Sequence, residues 1–239
     1  MGKNLIQQAR GRGSPRYVCK SFRHKGSIHH NKTGKDAQTL KGKIIDIFHC
    51  QGHSAPLMKV KYDDNQECIL AACEGVRVGD EIYSGVEAPS SPGCTVLLKN
   101  IPEGTLIYNI EIKPGDGGKI CRTSGTFARV TAKLPDRIIV QLPSKKEKEF
   151  IPDCRANVGR IAGGGRLDKP FYKAGTRYHK MRAHTKLYPQ VSGNSQNAVD
   201  HPYGKSRSSK KGKPTIAPKN APPGRKVGKI APRRTGHKN

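Results

Sequence analysis

The chain has 239 residues, with 45 Lys and Arg against 18 Asp and Glu, a formal charge of +27 and a pI near 10.1. Self-repulsion on that scale works against compaction unless an anionic partner neutralises it, which points to nucleic acid or an anionic membrane surface. No apolar run approaches the roughly 20 residues of a spanning helix, the basic stretches carry no amphipathic stripe, and residues 1–16 are too polar for a signal core, so nucleic acid is the expected partner.

The charge is unevenly spread. Residues 1–36 carry nine basic side chains against one acidic, and residues 37–96 carry five against eight. Residues 97–175 carry 15 against eight, and residues 176–239 carry 16 against one. These zones give the expected organisation: a basic N-terminal extension (1–36), two folded modules (37–96 and 97–175) and a basic extended C-terminal segment (176–239). In the N-terminal extension, Gln8–Arg16 (QARGRGSPR) interleaves arginine forks with glycines that let a backbone approach closely. An RGG-like linker has the same composition, and both readings place nucleic acid nearby.

The first module shows short β-branched and aromatic runs at 42–49, 57–62, 67–72 and 80–84, separated by turn signals such as Gln51-Gly52 and Asp63-Asp64-Asn65. The second shows runs at 106–112, 119–122, 126–132, 137–142, 149–151 and 157–161. This spacing, without helical periodicity between runs, predicts an all-β chain of two small closed barrels with aliphatic cores. Two glycine-rich loops beside these strands, Lys113–Lys119 (KPGDGGK) and Ala162–Arg166 (AGGGR), read either as tight barrel turns or as cradles for an RNA phosphate. Neither matches GxxxxGK[ST], so nucleotide hydrolysis is not supported.

Seven cysteines, an odd number without CxxC spacing, imply reduced thiols rather than a disulfide scaffold. His49, Cys50 and His53 with Cys68 and Cys73 form the one grouping that suggests zinc, but the usual ligand pairs are missing. Buried small apolar side chains are the favoured reading, and no metal or other cofactor is expected.

The C-terminal segment has seven Leu, Ile, Val, Met or Phe in 64 residues, and seven prolines. It cannot bury enough apolar surface to offset its ordering entropy and is not expected to fold alone. Within it, Asp200-His201 invites a general-base reading, since imidazole titrates near neutrality. No nucleophile elbow or apolar pocket accompanies the pair in sequence, so RNA contact is the favoured role and no catalytic residue is assigned.

Taken in order, Pro102–Thr105, Asn109–Glu111, Pro114–Lys119, Cys154–Ala156, Val158-Gly159, Ala162–Arg166, Asn197–Pro202 and Ala221–Gly236 resemble the universal ribosomal protein L-two family (L-eight in eukaryotic nomenclature). The opening Gly2–Gly13 and the segment Gly52–Val60 resemble its archaeal and eukaryotic branch. The resemblance covers nearly the whole chain, and the ordered succession of motifs is highly specific. It implies that the first barrel is an OB-fold and the second an SH3-like translation-protein barrel, with extensions threading into large-subunit rRNA. It also implies roles in rRNA folding, subunit association and support of the peptidyl-transferase region, where it places Asp200 and His201. Neighbouring ribosomal proteins, the small subunit and the tRNA region join rRNA as expected partners, on cytoplasmic ribosomes. In the family, peptide transfer belongs to RNA, so an enzyme is not expected. The chain departs from the family pattern at Ser192-Gly193, at Gln196–Ala198, at Tyr203, where a second histidine is common, and at Lys205.

The cations expected to meet rRNA phosphate are Arg10, Arg12 and Arg16 in the arm, and Lys119, Arg122, Arg155, Arg166 and Lys169 in the second module. Arg177, Lys180, Arg182, Lys205, Arg225, Lys226, Arg233 and Arg234 follow in the C-terminal segment, beside His201. Two other classes fit the charge or the histidine: a DNA-binding protein with two β modules, and a hydrolase centred on His201. Release of the protein from its particle by ribonuclease rather than deoxyribonuclease separates the first from an rRNA binder. Turnover by the RNA-free protein, lost in His201→Ala, would be the mark of the second.

Overall fold

The alternating runs form strands because each places one row of side chains in a core and the other in solvent. The computed structural model describes residues 3–10, 12–15, 17–18, 20, 21–32, 39–204 and 216–233. Arg16, Lys205 and Arg234, named above as phosphate contacts, and Cys19 lie outside the described residues. The chain folds as two compact units: a barrel unit, Ser21–Pro170, and an arm–tail unit, Met1–Lys20 with Phe171–Asn239.

The barrel unit is all-β, an OB-fold barrel followed by an SH3-like barrel. Its strands are β1 (Leu40–Phe48), β2 (Leu57–Tyr62), β3 (Glu67–Ala71), β4 (Glu81–Gly85), β5 (Thr95–Leu97), β6 (Leu106–Tyr108), β7 (Ala128–Lys133), β8 (Ile138–Gln141), β9 (Glu147–Phe150) and β10 (Arg155–Val158). They join in one hydrogen-bonded order, β3-β2-β1-β4-β5-β10-β6-β7-β8-β9. The two barrels therefore share a sheet. The seam is β5, which runs parallel to β4 and antiparallel to β10. Bulges at Ile45 in β1 and Thr131 in β7 break the register and bend the two long hairpins, as closing a small barrel requires.

One core cluster runs through both barrels, from Ile44, Met58 and Val60 to Val130, Val140 and Phe150, and it is mostly aliphatic as the composition requires. A second, smaller cluster gathers Ile28, Leu57, Tyr108 and Ile161 beside it. The strand expected at 119–122 is reduced to a single bridge, Ile110–Ile120. Asn109 and Cys121 both take positive φ there, and these turns interrupt the ladder while Asn109 N–H donates to Cys121 O at 3.0 Å.

Among the described residues of the arm–tail unit, α1 (Ile6–Arg10), α2 (Ala174–Ala183), a 3-10 turn (Gly193–Ser195), β11 (Ile216–Ala217) and β12 (Lys229–Ile230) are the regular elements, and β11 pairs with β12 in parallel. Neither helix carries a periodic apolar signal, and α2 buries no residue. Its Ala, Arg, Lys and Met content favours helix by propensity alone. The arm and tail pack on each other: Lys3 N–H donates to Val199 O at 3.0 Å, the Arg10 guanidinium to Thr185 O at 3.2 Å, and Leu5, Ala217, Ala221 and Val227 are buried.

Candidate nucleic-acid interface

The KPGDGGK loop is folded around carboxylates of its own. Glu111, fully buried, accepts the amides of Gly115 at 3.2 Å and Gly117 at 3.1 Å. Asp116 accepts those of Ile112, Lys113 and Gly118 at 3.1 to 3.3 Å. The amides that a phosphate cradle would use are thus already engaged, and the anion-binding concavity is filled from within. Gly118 holds φ +85°, and a Cβ there would collide with Asn109.

Arg155 closes this cluster. Its Nη2 meets Glu111 Oε1 at 2.9 Å, its backbone N–H donates to Oε2 at 2.9 Å, and its Nη1 donates to Asn31 O at 2.9 Å. Burial alone would raise the Glu111 carboxyl, but the side-chain and backbone hydrogen bonds and the charge of Arg155 together bring it below its ordinary value. His30 is buried beside them, with Nε2–H donating to Asn109 O at 2.9 Å. Its pKa is lowered to about 4, by burial first and the Arg155 charge second. The network continues through Asn109 Nδ2 to Asn157 Oδ1 (3.0 Å) and Asn157 Nδ2 to Thr95 Oγ1 (2.9 Å), and Ser84 Oγ donates to Asn31 Oδ1 at 2.8 Å. Residues 30–31, the glycine loop and the β5–β10 seam are thereby tied together.

This geometry changes the reading of two expected contacts. Arg155 is turned inward, with a side chain 13% exposed and its donors on Glu111 and Asn31. Arg122 donates to Gly118 O at 3.0 Å and Ile28 O at 2.9 Å, so it too braces the fold. Lys119, Arg166 and Lys169 are exposed. Arg166 Nε also donates to Ser124 Oγ at 2.9 Å, which fixes the AGGGR loop. Gly164 of that loop serves close packing of backbone on backbone: a Cβ on Gly125 would clash with it. The cysteines are dispersed. Cys50 receives Lys25 N–H at 3.4 Å and lies 3.2 Å from His53 Nδ1, whereas Cys73 and Cys68 pack in different core clusters. Among the described residues no three His, Cys, Asp or Glu side chains stand close enough to hold a metal. Burial pushes the Cys121 and Cys154 thiols up to about 11, so both stay protonated at neutral pH.

In the arm–tail unit the expected contacts are mostly at the surface. Arg10, Arg12, Arg177, Arg182, Arg225, Lys226 and Arg233 are exposed, and Lys180 is half-buried. His201 lines a cavity of about 430 Å³ with Ser192, Gly193, Asn194, Tyr203, Gly228 and Lys229. Its Nδ1 accepts the Tyr203 N–H at 3.0 Å, which leaves the ring proton on Nε2, and burial lowers its pKa. Asp200 pairs with Lys3 at 3.7 Å, so its carboxylate is drawn away from the role of orienting His201 as a base. The residues of this unit include 22 Lys and Arg against a single acidic side chain, Asp200.

Residues 91–223 match the family model for the C-terminal domain of ribosomal proteins L2. The chain belongs to the ribosomal protein L2 (uL2) family. It is of the family's archaeal type: it is 48% identical over 238 residues to the large ribosomal subunit protein uL2 of Methanothermobacter thermautotrophicus, with 99% of both chains covered. It is also 48% identical to the uL2 of Archaeoglobus fulgidus over 236 residues and 46% identical to that of Methanococcoides burtonii over 236 residues, again with 99% of each chain covered. The motifs that resembled the family in sequence therefore fall on two kinds of place in this member. The glycine loop and Cys154–Ala156 build its buried polar junction, and Asn197–Pro202 carries His201, whose cavity is walled by Ser192–Asn194, Tyr203, Gly228 and Lys229.

Sequence reasoning missed Glu111 as the organiser of the loop. The signal was present, since a glutamate precedes, and an aspartate sits within, a glycine run that offers amide donors.

Proposed function

We propose that this chain is a structural constituent of the large ribosomal subunit, not an enzyme, and that it binds large-subunit rRNA on cytoplasmic ribosomes. It supports rRNA folding, subunit association and the peptidyl-transferase region, with neighbouring ribosomal proteins, the small subunit and the tRNA region as its surroundings. The observation that carries this reading is the ratio of 22 basic to one acidic side chain in the arm–tail unit of a uL2-family chain. Phosphates are the ligand such a surface suits: each Lys or Arg that neutralises one releases condensed counterions. Arg10, Arg12, Arg177, Lys180, Arg182, Arg225, Lys226 and Arg233 carry most of this contact, with Lys119, Arg166 and Lys169 adding to it from the barrel unit. Arg16, Lys205 and Arg234 extend the same chemistry by sequence. Arg122 and Arg155 hold the fold in place of RNA, and the two glycine loops act as braces. His201, neutral and with its proton on Nε2, offers a single hydrogen-bond donor to RNA.

Deleting residues 176–239 is the direct test. The truncated protein is expected to retain a cooperative barrel unfolding transition and to disappear from large subunits on a sucrose gradient. Normal incorporation would refute the assignment of the tail. For the full chain, engagement of about ten phosphates gives a slope of log affinity against log salt near −9 on helical RNA.

A further inference from the structure

The arm–tail unit contains a second cavity, of about 390 Å³, away from His201. Tyr17 and Val18 of the arm, Tyr178 and Arg182 of α2, and Leu187 and Tyr188 beyond it line the walls. Lys20 and Lys186 line it as well. Three of the protein's eight tyrosines thus converge on one cleft in a unit that is otherwise poor in large apolar side chains. Tyr178 and Arg182 sit one turn apart on a helix with no buried face, and Arg182 Nη1 donates to Tyr178 Oη at 3.2 Å. Arg177 lies 5.2 Å from the centre of the Tyr188 ring. The cleft is shaped by the arm as well as the tail, with Arg10 bound to Thr185 O beside it.

A planar apolar group carrying negative charge fits these walls. The volume lies within the range of sites that take a small ring-bearing ligand, about 300 to 1,000 Å³. Rings with cations around them are the usual platform for unstacked bases, because every base has a π-face and a phosphate beside it. Duplex RNA keeps its bases inside the stack and could meet only the cations. An acidic peptide would satisfy the charge but not the rings. We infer that this cleft receives a base splayed out of an RNA strand, held against the rings of both Tyr178 and Tyr188, with Arg182, Lys20 and Lys186 on the flanking phosphates. The inference rests on the rRNA-binding reading and names the single-stranded element recognised there.

The test uses the full chain, a short unstructured uridylate oligonucleotide, and an RNA duplex with the same number of phosphates. The protein has no tryptophan, so its emission comes from eight tyrosines, three of them in the cleft, and the ring variants identify the cleft's share. The oligonucleotide is expected to quench that emission. Tyr178→Ala and Tyr188→Ala should each weaken oligonucleotide binding about tenfold while leaving duplex binding unchanged. Tyr178→Phe and Tyr188→Phe should restore it, Tyr178→Leu, which keeps bulk without a π-face, should not, and Tyr172→Ala, at an 85% exposed ring outside the cleft, should change nothing. Full binding of the oligonucleotide by the alanine and leucine variants would overturn the inference, as would an equal loss for the duplex or a peptide segment crosslinked at Tyr178 in intact particles. Failure to bind either RNA would overturn the rRNA reading itself, whereas duplex binding with the expected salt slope but no dependence on the rings would remove this inference alone.

Discussion

The barrel unit and the arm–tail unit use the same residue types for opposite ends. In the barrel unit 23 Lys and Arg face 17 Asp and Glu, and its most buried charges are paired inward. In the arm–tail unit 22 face one, and the arginines among its described residues lie at the surface. An arginine within a glycine-rich motif can therefore be a brace or a ligand, and the difference is whether acceptors of the fold, carboxylate or backbone carbonyl, are turned onto it. Arg155 has Glu111. Arg225 has no such carboxylate in its unit, where Asp200 is the sole acidic side chain and pairs with Lys3.

The strongest way to break that contrast is at Glu111. Removing one partner leaves the other charge buried without compensation, a cost of about 3–5 kcal/mol, whereas replacing both with apolar groups of similar size can be nearly neutral. Arg155→Met and Glu111→Gln should each lower the stability of the barrel unit by an amount in that range, read from urea unfolding. The Arg155→Met/Glu111→Gln pair should lose less than the sum of the two single variants. Single variants within about 1 kcal/mol of the parent would mean that Arg155 is held by its other contacts and is not a brace.

His30 gives the next effect. Its folded pKa of about 4 lies below the ordinary value of 6.5, so between those pH values the unfolded chain binds a proton that the folded chain refuses. Stability is fully present above pH 6.5 and falls as pH drops toward 4, by roughly 3 kcal/mol from this group. Glu111, whose folded pKa is also lowered, adds a loss in the same direction at lower pH. His30→Gln, which can still donate to Asn109 O, should flatten the urea-midpoint profile between about pH 6.5 and 5, where carboxylates contribute little. An unchanged slope would assign the pH dependence to other groups.

Much of the barrel unit was legible because strand alternation is local: the runs at 57–62 and 67–72 need only their own residues to announce themselves. Thr95–Leu97 was not, because three residues become β5 only through pairing with β4 and β10. The shared sheet was hidden for the same reason. α2 escaped because a helix without a core face leaves no periodic trace. The pairing of arm with tail joins residues 175 positions apart at Arg10 and Thr185, and composition carries no information about it. For the candidate interface, charge told which segments meet an anion. It could not tell that Arg122 and Arg155 turn inward, since that depends on carbonyl and carboxylate acceptors up to 124 positions away.

The smallest effect separates the units most sharply. Arg137 in the barrel unit reaches both carboxylate oxygens of Glu149 at 3.1 and 3.0 Å, with side chains 55% and 60% exposed. Water screens such a pair, so Arg137→Ala should cost less than about 1 kcal/mol in a thermal melt, and less again at high salt. Its salt slope for RNA should be unchanged, because that guanidinium already has a carboxylate to neutralise. Arg225→Ala is the mirror experiment. Its melting temperature should be unaffected, and its salt slope should become shallower by about 0.9 if one phosphate contact is lost. If both arginines moved both readouts alike, charge in the two units would be doing the same work, and the division between brace and ligand would not hold.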